Sequence, residues 1–449
     1  MRRLFGTDGI RGVAGEAPLD PGTIYCAGLA LAQSLAKSRP APRVLLGEDT
    51  RESSPWIARL LAAGLAAAGA EVVSAGVLTT PGVAFLARKH RFAAAAMVSA
   101  SHNPWRDNGI KVFGGDGYKL PDAEELEIES EIFRHMATVT APEQYGLPRL
   151  AARSELRREY EEFLRQAAPE LNLAGMKVVI DCANGAAGAI AQELFAGLGG
   201  EVCFTHIAPN GRNINENCGA LHPEIVAAET KAMAADLGVT LDGDADRALF
   251  ADAQGKVVDG DAVLLLAARH MQSKGELRGN LVVATSMSNM GLEAALRSSG
   301  IRMMRAPVGD KYVLEMMRKH DAQLGGEQSG HILFPRLSTT GDGLLTALVV
   351  LDLVARAGRP LHAMLSGLKV FPQAIVNVRV REKRPFDQLA GVVSAIREAE
   401  SELEGGGRVV VRYSGTEQLA RVMIEAESEE RMRRHADRIA RAIQEAIGA

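Results

Sequence analysis

Leu237-Gly238-Val239-Thr240-Leu241-Asp242-Gly243-Asp244-Ala245-Asp246-Arg247 is the stretch on which the reading of this chain turns. A short apolar and β-branched run of strand length breaks abruptly into a polar, glycine-bearing loop. In open α/β sheets, loops at the carboxyl ends of strands form the ligand crevice. The residues around it keep the same alternation. Lys177–Asp181 predicts a strand, Ala186–Leu198 a helix stopped at Gly199, Glu201–His206 a strand, and Pro223–Ala235 a helix.

The pattern recurs on both sides. Arg43–Gly47 predicts a strand, and Ser54 is expected to cap a helix that has Pro55 at its first position and runs to Gly69. A strand at Glu71–Ser74, a helix after Pro81 and a strand at Ala93–Val98 follow. That strand runs straight into Ser99-Ala100-Ser101-His102-Asn103-Pro104. A charged helix, Ser154–Ala168, precedes the unit already described. Beyond it, strands are predicted near Leu281–Ala284 and Met303–Ala306, with helices at Met290–Ser298 and Asp310–Lys319. Ala322–Leu324 then leads into Gly325-Gly326-Glu327-Gln328-Ser329-Gly330-His331. From about Lys369 the pattern is smaller: strands at Ala374–Arg379, Val409–Tyr413 and near Arg421–Glu425, then a final helix. A length of 449 residues suggests about three domains. The pattern gives four: 1–152, 153–254, 255–368 and 369–449.

Composition narrows the function. The net charge of −4 excludes a nucleic-acid binder that works by bulk charge. Forty-six glycines against 4% aromatics suit tight turns and anion-binding loops better than stacking sites. No uncharged stretch reaches the ~18–20 residues that span a bilayer, and Asp8 and Arg11 interrupt any signal-like segment behind Arg2 and Arg3. Cys26, Cys182, Cys203 and Cys218 show no CxxC spacing, so neither a zinc site nor a disulfide framework is expected. A cytoplasmic protein without membrane or nucleic-acid partners is the expectation.

Five loops carry candidate chemistry. Asp242, Asp244 and Asp246 alternate with small residues, which turns three carboxylates to one side. Such groups repel unless a cation joins them, and oxygen-only ligands favour Mg²⁺ or Ca²⁺. The glycine and glutamate of an EF-hand loop are missing, since Arg247 and Ala253 stand in their places. Ser101 is a candidate nucleophile without the glycines of an esterase elbow. Arg412-Tyr413-Ser414-Gly415-Thr416, with Arg421 nearby, combines hydroxyls, bare backbone N–H groups and guanidinium forks, as a phosphate site requires. Phe5-Gly6-Thr7-Asp8-Gly9-Ile10-Arg11-Gly12 is similar in kind. Neither a P-loop nor a strand-linked GxGxxG occurs, so nucleotide binding has no support. Glu327, Ser329 and His331 offer carboxylate, hydroxyl and imidazole groups suited to sugar hydroxyls.

Taken in order, FGTDGIRG, SASHNP with DNGIKVF, DGDADR, GGEQSGH and RYSGTE resemble the α-D-phosphohexomutase superfamily, and within it the bacterial phosphoglucosamine mutases. The resemblance covers essentially the whole chain. It implies an α/β architecture of four domains around a central cleft: three similar mixed-sheet domains and a smaller C-terminal α+β domain. It implies an isomerase that interconverts glucosamine 6-phosphate and glucosamine 1-phosphate and supplies UDP-N-acetylglucosamine for cell-wall synthesis. Ser101 matches the phosphorylated residue, and with Asp242, Asp244 and Asp246 it would hold one Mg²⁺. Glucosamine 1,6-bisphosphate would be the intermediate. Glu327 and Ser329 match sugar-contacting positions, and Arg412, Ser414, Gly415, Thr416 and Arg421 match the loop for the non-reacting phosphate. Arg11, His102 and Lys111 match residues near the transferred group. The general base stays open among His331, Lys111 and Arg11. Small sugar phosphates are the implied partners, and a homodimer is admitted.

Two departures stand out. Tyr413 and Gln418 replace the prolines usual in the phosphate loop. Ala245 replaces the usual glycine of the metal loop, which matters only if that position needs φ > 0. A phosphomannomutase or phosphoglucomutase of the same superfamily, or a non-catalytic sugar-phosphate sensor, are the competing readings.

Overall fold

The structure, a computed structural model, describes residues 4–6, 8–139, 147–403, 406–414 and 418–449. The chain forms two compact units. One comprises residues up to 285 together with 306–366, and the other residues 286–305 with 367–449.

The larger unit contains two mixed sheets. The first has the order Phe5–Gly6, Gly9–Val13, Asp107–Gly114, Ala94–Val98, Arg43–Glu48, Glu71–Val77. Its last three strands are parallel, and Asp107–Gly114 runs antiparallel to both of its neighbours. The second has the order Val257–Val258, Ala248–Asp252, Leu237–Leu241, Lys177–Asp181, Glu201–Thr205. Leu237–Leu241, Lys177–Asp181 and Glu201–Thr205 are parallel, and Ala248–Asp252 returns antiparallel beside Leu237–Leu241. A third assembly pairs Leu281–Thr285 parallel to Gly325–Gly326, which Ile332–Leu333 follows antiparallel. The central strands Ala94–Val98 and Leu237–Leu241 are buried along their whole length, which explains why they read as unbroken small or apolar runs rather than alternating ones.

One arrangement therefore occurs three times. A parallel strand enters each polar loop, and an antiparallel strand leaves it and pairs with the strand that entered. The sequence marks all three entering strands, but of the leaving strands only the apolar one that follows the aspartates. Asp107-Asn108-Gly109-Ile110-Lys111 carries no strand prediction, yet it is strand because both of its edges are paired and Asn108 and Lys111 find buried partners.

The helix expected after Ser54 spans Ser54–Ala67, but Ser54 is not its cap. Its hydroxyl instead donates to Asp49 Oδ1 (2.7 Å), a tertiary partner that outbids the local one. This helix crosses Pro21–Ala36 at two glycines. A Cβ on Gly28 would lie 2.3 Å from the Leu61 carbonyl oxygen, and one on Gly64 would lie 2.1 Å from that of Tyr25. Any side chain at either position would force the helices apart. Among the described residues, no helix is long and apolar enough to cross a membrane.

Asp342 caps the helix Gly343–Ala357 by accepting the Leu345 N–H (3.0 Å), and it also accepts the hydroxyl of buried Tyr160 (2.8 Å). Burial pushes its carboxyl from the ordinary 3.8 up to about 6. The folded protein thus holds a proton there that the unfolded chain releases, so stability falls as pH rises from about 4 to about 6. A shift of that size corresponds to about 3 kcal/mol. Asp342→Asn keeps the capping oxygen and removes the charge. Urea unfolding across this pH range is expected to show a flatter profile for the variant than for the parent. Identical slopes would sink this account.

The smaller unit carries a three-stranded antiparallel sheet with Leu419–Ala426 between Gln373–Arg379 and Gly407–Tyr413. The helices Ala390–Glu402 and Glu429–Ile447 bury Val392, Ala395, Met432, Ile439 and Ile443 with the sheet residues Val378, Val422 and Ile424. Ser286–Ser288 joins this unit through Arg408, whose Nη1 and Nη2 donate to the Ser286 and Ser288 carbonyls (both 2.7 Å).

Candidate active site

The loop after Ala94–Val98 and the loop after Leu237–Leu241 meet at Ser101. Its Oγ donates to Asp242 Oδ2 at 2.5 Å, and His102 Nδ1 lies 3.3 Å from the same oxygen. Ser101 has φ +54°, the left-handed region that costs a non-glycine residue about 1–2 kcal/mol. Strain of this kind collects at functional sites.

Asp242, Asp244 and Asp246 are buried, and one oxygen of each lies within 4.8 Å of the others. Burial, then Asp246 and Asp244, pushes the Asp242 carboxyl up to about 8. Oδ1 of Asp244 and Oδ1 of Asp246 are buried without a hydrogen-bond partner among the described residues. A cluster of buried carboxylates with vacant oxygens fits a hard cation, the donor set expected of Mg²⁺. Ala245 sits inside this loop at φ +56°, so the position does need the conformation that glycine supplies freely.

Lys111 reaches the cluster from the antiparallel strand. Its Nζ lies 2.8 Å from Asp244, 3.2 Å from Asp246 and 3.3 Å from Asp8. Burial would lower its pKa, but Asp244, Asp8 and Asp246 together raise it well above the usual value. These carboxylates favour its ammonium form. Arg11 pairs with Asp8 and donates to the Ala100 carbonyl (3.3 Å), and a guanidinium has no acceptor to offer.

His331 is enclosed, 3% exposed, between Asp246 (3.6 Å from Nδ1) and Asp310 (3.4 Å from Nε2). Burial lowers its pKa, but the carboxylates of Asp246 and Asp310 raise it overall. The Gly341 N–H points at Nε2 (3.1 Å), so that nitrogen carries its lone pair there and the Nδ1 proton faces Asp246. Both ring nitrogens are engaged. His102 differs: burial, then Arg247 and Arg11, lowers its pKa to about 4, which favours a neutral imidazole beside Ser101.

Sequence reasoning missed the groups that close this network. Lys119 Nζ bridges Asp8 (2.5 Å) and Asp310 (2.6 Å), so Asp246, His331, Asp310, Lys119, Asp8 and Lys111 form a ring in which acidic and basic side chains alternate. Burial would raise the Asp8 carboxyl, but Lys111, Lys119 and Arg11 hold it well below the usual range. Asp8 lies in a stretch singled out by the resemblance and Asp310 opens a predicted helix, yet nothing local marks them as partners of one lysine.

Glu327 and Ser329 are half-buried in the third loop, where Glu327 Oε1 accepts the Gly309 N–H (3.0 Å). In the smaller unit, Arg412 and Arg421 stand directly opposite each other on adjacent strands. Ser414 is buried, and its carbonyl accepts Lys383 Nζ (2.6 Å). Gly415 and Thr416 lie outside the described residues. A second grouping, Asp181, His206 and Cys218, is a structural latch. The Asp181 carboxylate is already taken by His206, Thr240 and the Ala183 and Gly219 N–H groups.

Comparison with known proteins places these features. Family models for the phosphoglucomutase/phosphomannomutase alpha/beta/alpha domains I, II and III match residues 2–138, 158–255 and 259–371, and the model for the C-terminal domain matches 375–442. A phosphoglucosamine mutase from Koribacter versatilis is 59% identical over 453 residues, covering 100% of this chain and 98% of that protein. The crystal structure of a phosphoglucomutase/phosphomannomutase family protein from Burkholderia thailandensis superposes with a TM-score of 0.80 at 25% identity, over 99% of this chain and 98% of that one. N-acetylphosphoglucosamine mutase of Aspergillus fumigatus, solved with GlcNAc-6P and magnesium, shares the fold at a TM-score of 0.66 and 19% identity, over 100% and 96% of the two chains. With relatives this similar over its full length, the chain belongs to the phosphoglucosamine mutases of the phosphoglucomutase/phosphomannomutase superfamily.

Proposed function

We propose that this isomerase converts glucosamine 6-phosphate to glucosamine 1-phosphate through phosphorylated Ser101. The observation that carries the reading is the Ser101 hydroxyl held at 2.5 Å from Asp242, within a buried cluster of three aspartates and one lysine. The P–Oγ bond of phosphoserine breaks as a P–O bond forms to the C1 hydroxyl, giving glucosamine 1,6-bisphosphate. After the intermediate reorients, its other phosphoryl group returns to Ser101 Oγ. Ser101, Asp242, Asp244 and Asp246 would hold one Mg²⁺, which when bound supplies positive charge against the oxygens of the transferring group.

The chain's own residues account for the rest. Lys111 and Arg11 are cations suited to the charge that develops in transfer. His102 supports proton exchange with Ser101 Oγ, because it touches that oxygen and stays neutral at pH 7. His331 is assigned to holding Asp246. Glu327 and Ser329 are assigned to the sugar hydroxyls. Like charges directly opposite each other across strands are destabilising, so Arg412 and Arg421 are assigned, with Ser414, Gly415 and Thr416, to a phosphate that relieves their repulsion. The four domains divide near residues 152, 254 and 368 in this reading.

Glucosamine, glucose and mannose 6-phosphates compared by kcat/KM test the assignment. Glucosamine 6-phosphate is expected to lead by at least about tenfold, which corresponds to about 1.4 kcal/mol of transition-state discrimination. Equal or greater activity on mannose 6-phosphate would overturn it.

A further inference from the structure

Arg51 is one of the largest side chains in the protein to be wholly enclosed, at 1% exposure, and the reaction above makes no use of it. Its Nε donates to Asp49 Oδ2 (2.9 Å), Nη1 to the carbonyls of Asn103 (3.1 Å) and Pro104 (2.8 Å), and Nη2 to those of Ser101 (2.8 Å) and Asn103 (3.0 Å). The donors of a full guanidinium fork are thus spent on one carboxylate and three backbone oxygens of the nucleophile loop. Asn215 approaches the same oxygens from the other loop system. Its Nδ2 donates to Ser101 O (2.9 Å) and Asn103 O (3.1 Å). Gly243, in the aspartate loop, leaves room for this meeting. A Cβ there would lie 2.7 Å from Ser101 O and 2.9 Å from Asn215 Nδ2.

The clamp is itself braced. Asp49 Oδ1 accepts the Arg51 N–H (3.0 Å) and the Ser54 hydroxyl (2.7 Å), and Asn108 Nδ2 donates to both Ser53 and Ser54 hydroxyls (2.8 and 3.0 Å). These contacts fix the carbonyl side of a residue whose φ of +54° is unfavourable by itself. If Ser101 relaxed to the right-handed region, its Oγ would swing away from Asp242.

We propose that Arg51 and Asn215 are positioning residues for phosphoryl transfer, gripping the Ser101 and Asn103 carbonyls so that Oγ stays aimed at the aspartate cluster. The inference rests on the mutase reading and deepens it. Ser101 must present the same oxygen twice, first as phosphoryl donor and then as acceptor. Over the cycle the loop loses and regains a dianionic group beside three carboxylates, whose repulsion pushes it outward. A planar guanidinium that spans three carbonyls resists that push, whereas a lysine ammonium cannot span them.

The test compares the parent, Arg51→Lys and Asn215→Ala, each loaded with Mg²⁺ and assayed with glucosamine 6-phosphate and a hexose 1,6-bisphosphate activator. Ser101 phosphorylation is read by peptide mass spectrometry, and kcat and KM are measured separately. Arg51→Lys is expected to lower kcat about 100-fold and Asn215→Ala about tenfold, with KM within about threefold, the signature of a misaimed nucleophile. If Arg51→Lys does not fold, Asn215→Ala decides alone. Parent-like kcat in the folded variants, or a change confined to KM, overturns the clamp. A parent that carries no phosphate on Ser101 and turns nothing over instead overturns the mutase reading on which the clamp rests.

Discussion

Ser101→Ala is expected to lose turnover by at least about a thousandfold while keeping its fold. Covalent transfer requires the Oγ that the substitution deletes, and among the described residues no other hydroxyl of the loop contacts Asp242. The native protein is expected to carry, in part of the sample, a mass increment of about 80 Da on the peptide containing Ser101, absent from the variant. Stability should change little, since alanine meets the same backbone strain at φ +54° and only the Oγ contacts with Asp242 and His102 are lost. Thermal unfolding, intact mass and steady-state turnover together check these outcomes. Full activity would refute a phosphoserine mechanism. Turnover absent from the native protein as well, with unchanged sugar-phosphate affinity in the variant, would favour the sensor reading.

Lys111→Met is expected to have the largest effect on stability. The ammonium touches Asp8, Asp244 and Asp246 in a site that water scarcely reaches. Removing one partner of a buried ionic cluster commonly costs about 3–5 kcal/mol, because the charges left behind lose both partner and solvent. The variant should therefore unfold at markedly lower urea than the parent when both are measured in chelator. Added Mg²⁺ should recover a larger increment for the variant than for the parent, since a cation among the aspartates replaces part of the missing charge. Equal stability of variant and parent in chelator would show that the carboxylates do not depend on this lysine.

Much of the fold is legible in the amino-acid sequence, for a physical reason. Lys177–Asp181, Leu237–Leu241 and Met290–Ser298 are read to the residue, because local pattern and tertiary setting agree there. Asp107–Gly114 is not legible, because its polar residues are satisfied by neighbours on other strands rather than by water. The site divides in the same way. The three aspartates announce themselves through spacing, whereas Ser101 stands out only through the family resemblance. Arg51, Lys119, Asp310 and Asn215 are ordinary residues in sequence and acquire meaning only when distant segments meet. The glycine usual in the metal loop is a further case. Only the φ of +56° at Ala245 turns that family preference into a local requirement, one this chain meets with a strained alanine.

The pairing of each polar loop's two flanking strands sets how these loops can change over evolutionary time. An inserted or deleted residue in either strand shifts the ladder by one and turns every following side chain to the opposite face. In the first sheet that shift would carry Lys111 out of reach of Asp244, and in the second it would rotate the residues leading into Asp242. Substrate preference is therefore free to drift by substitution at fixed length. Where two relatives differ in one of these loops, the exchangeable module is the whole strand–loop–strand hairpin rather than the loop alone.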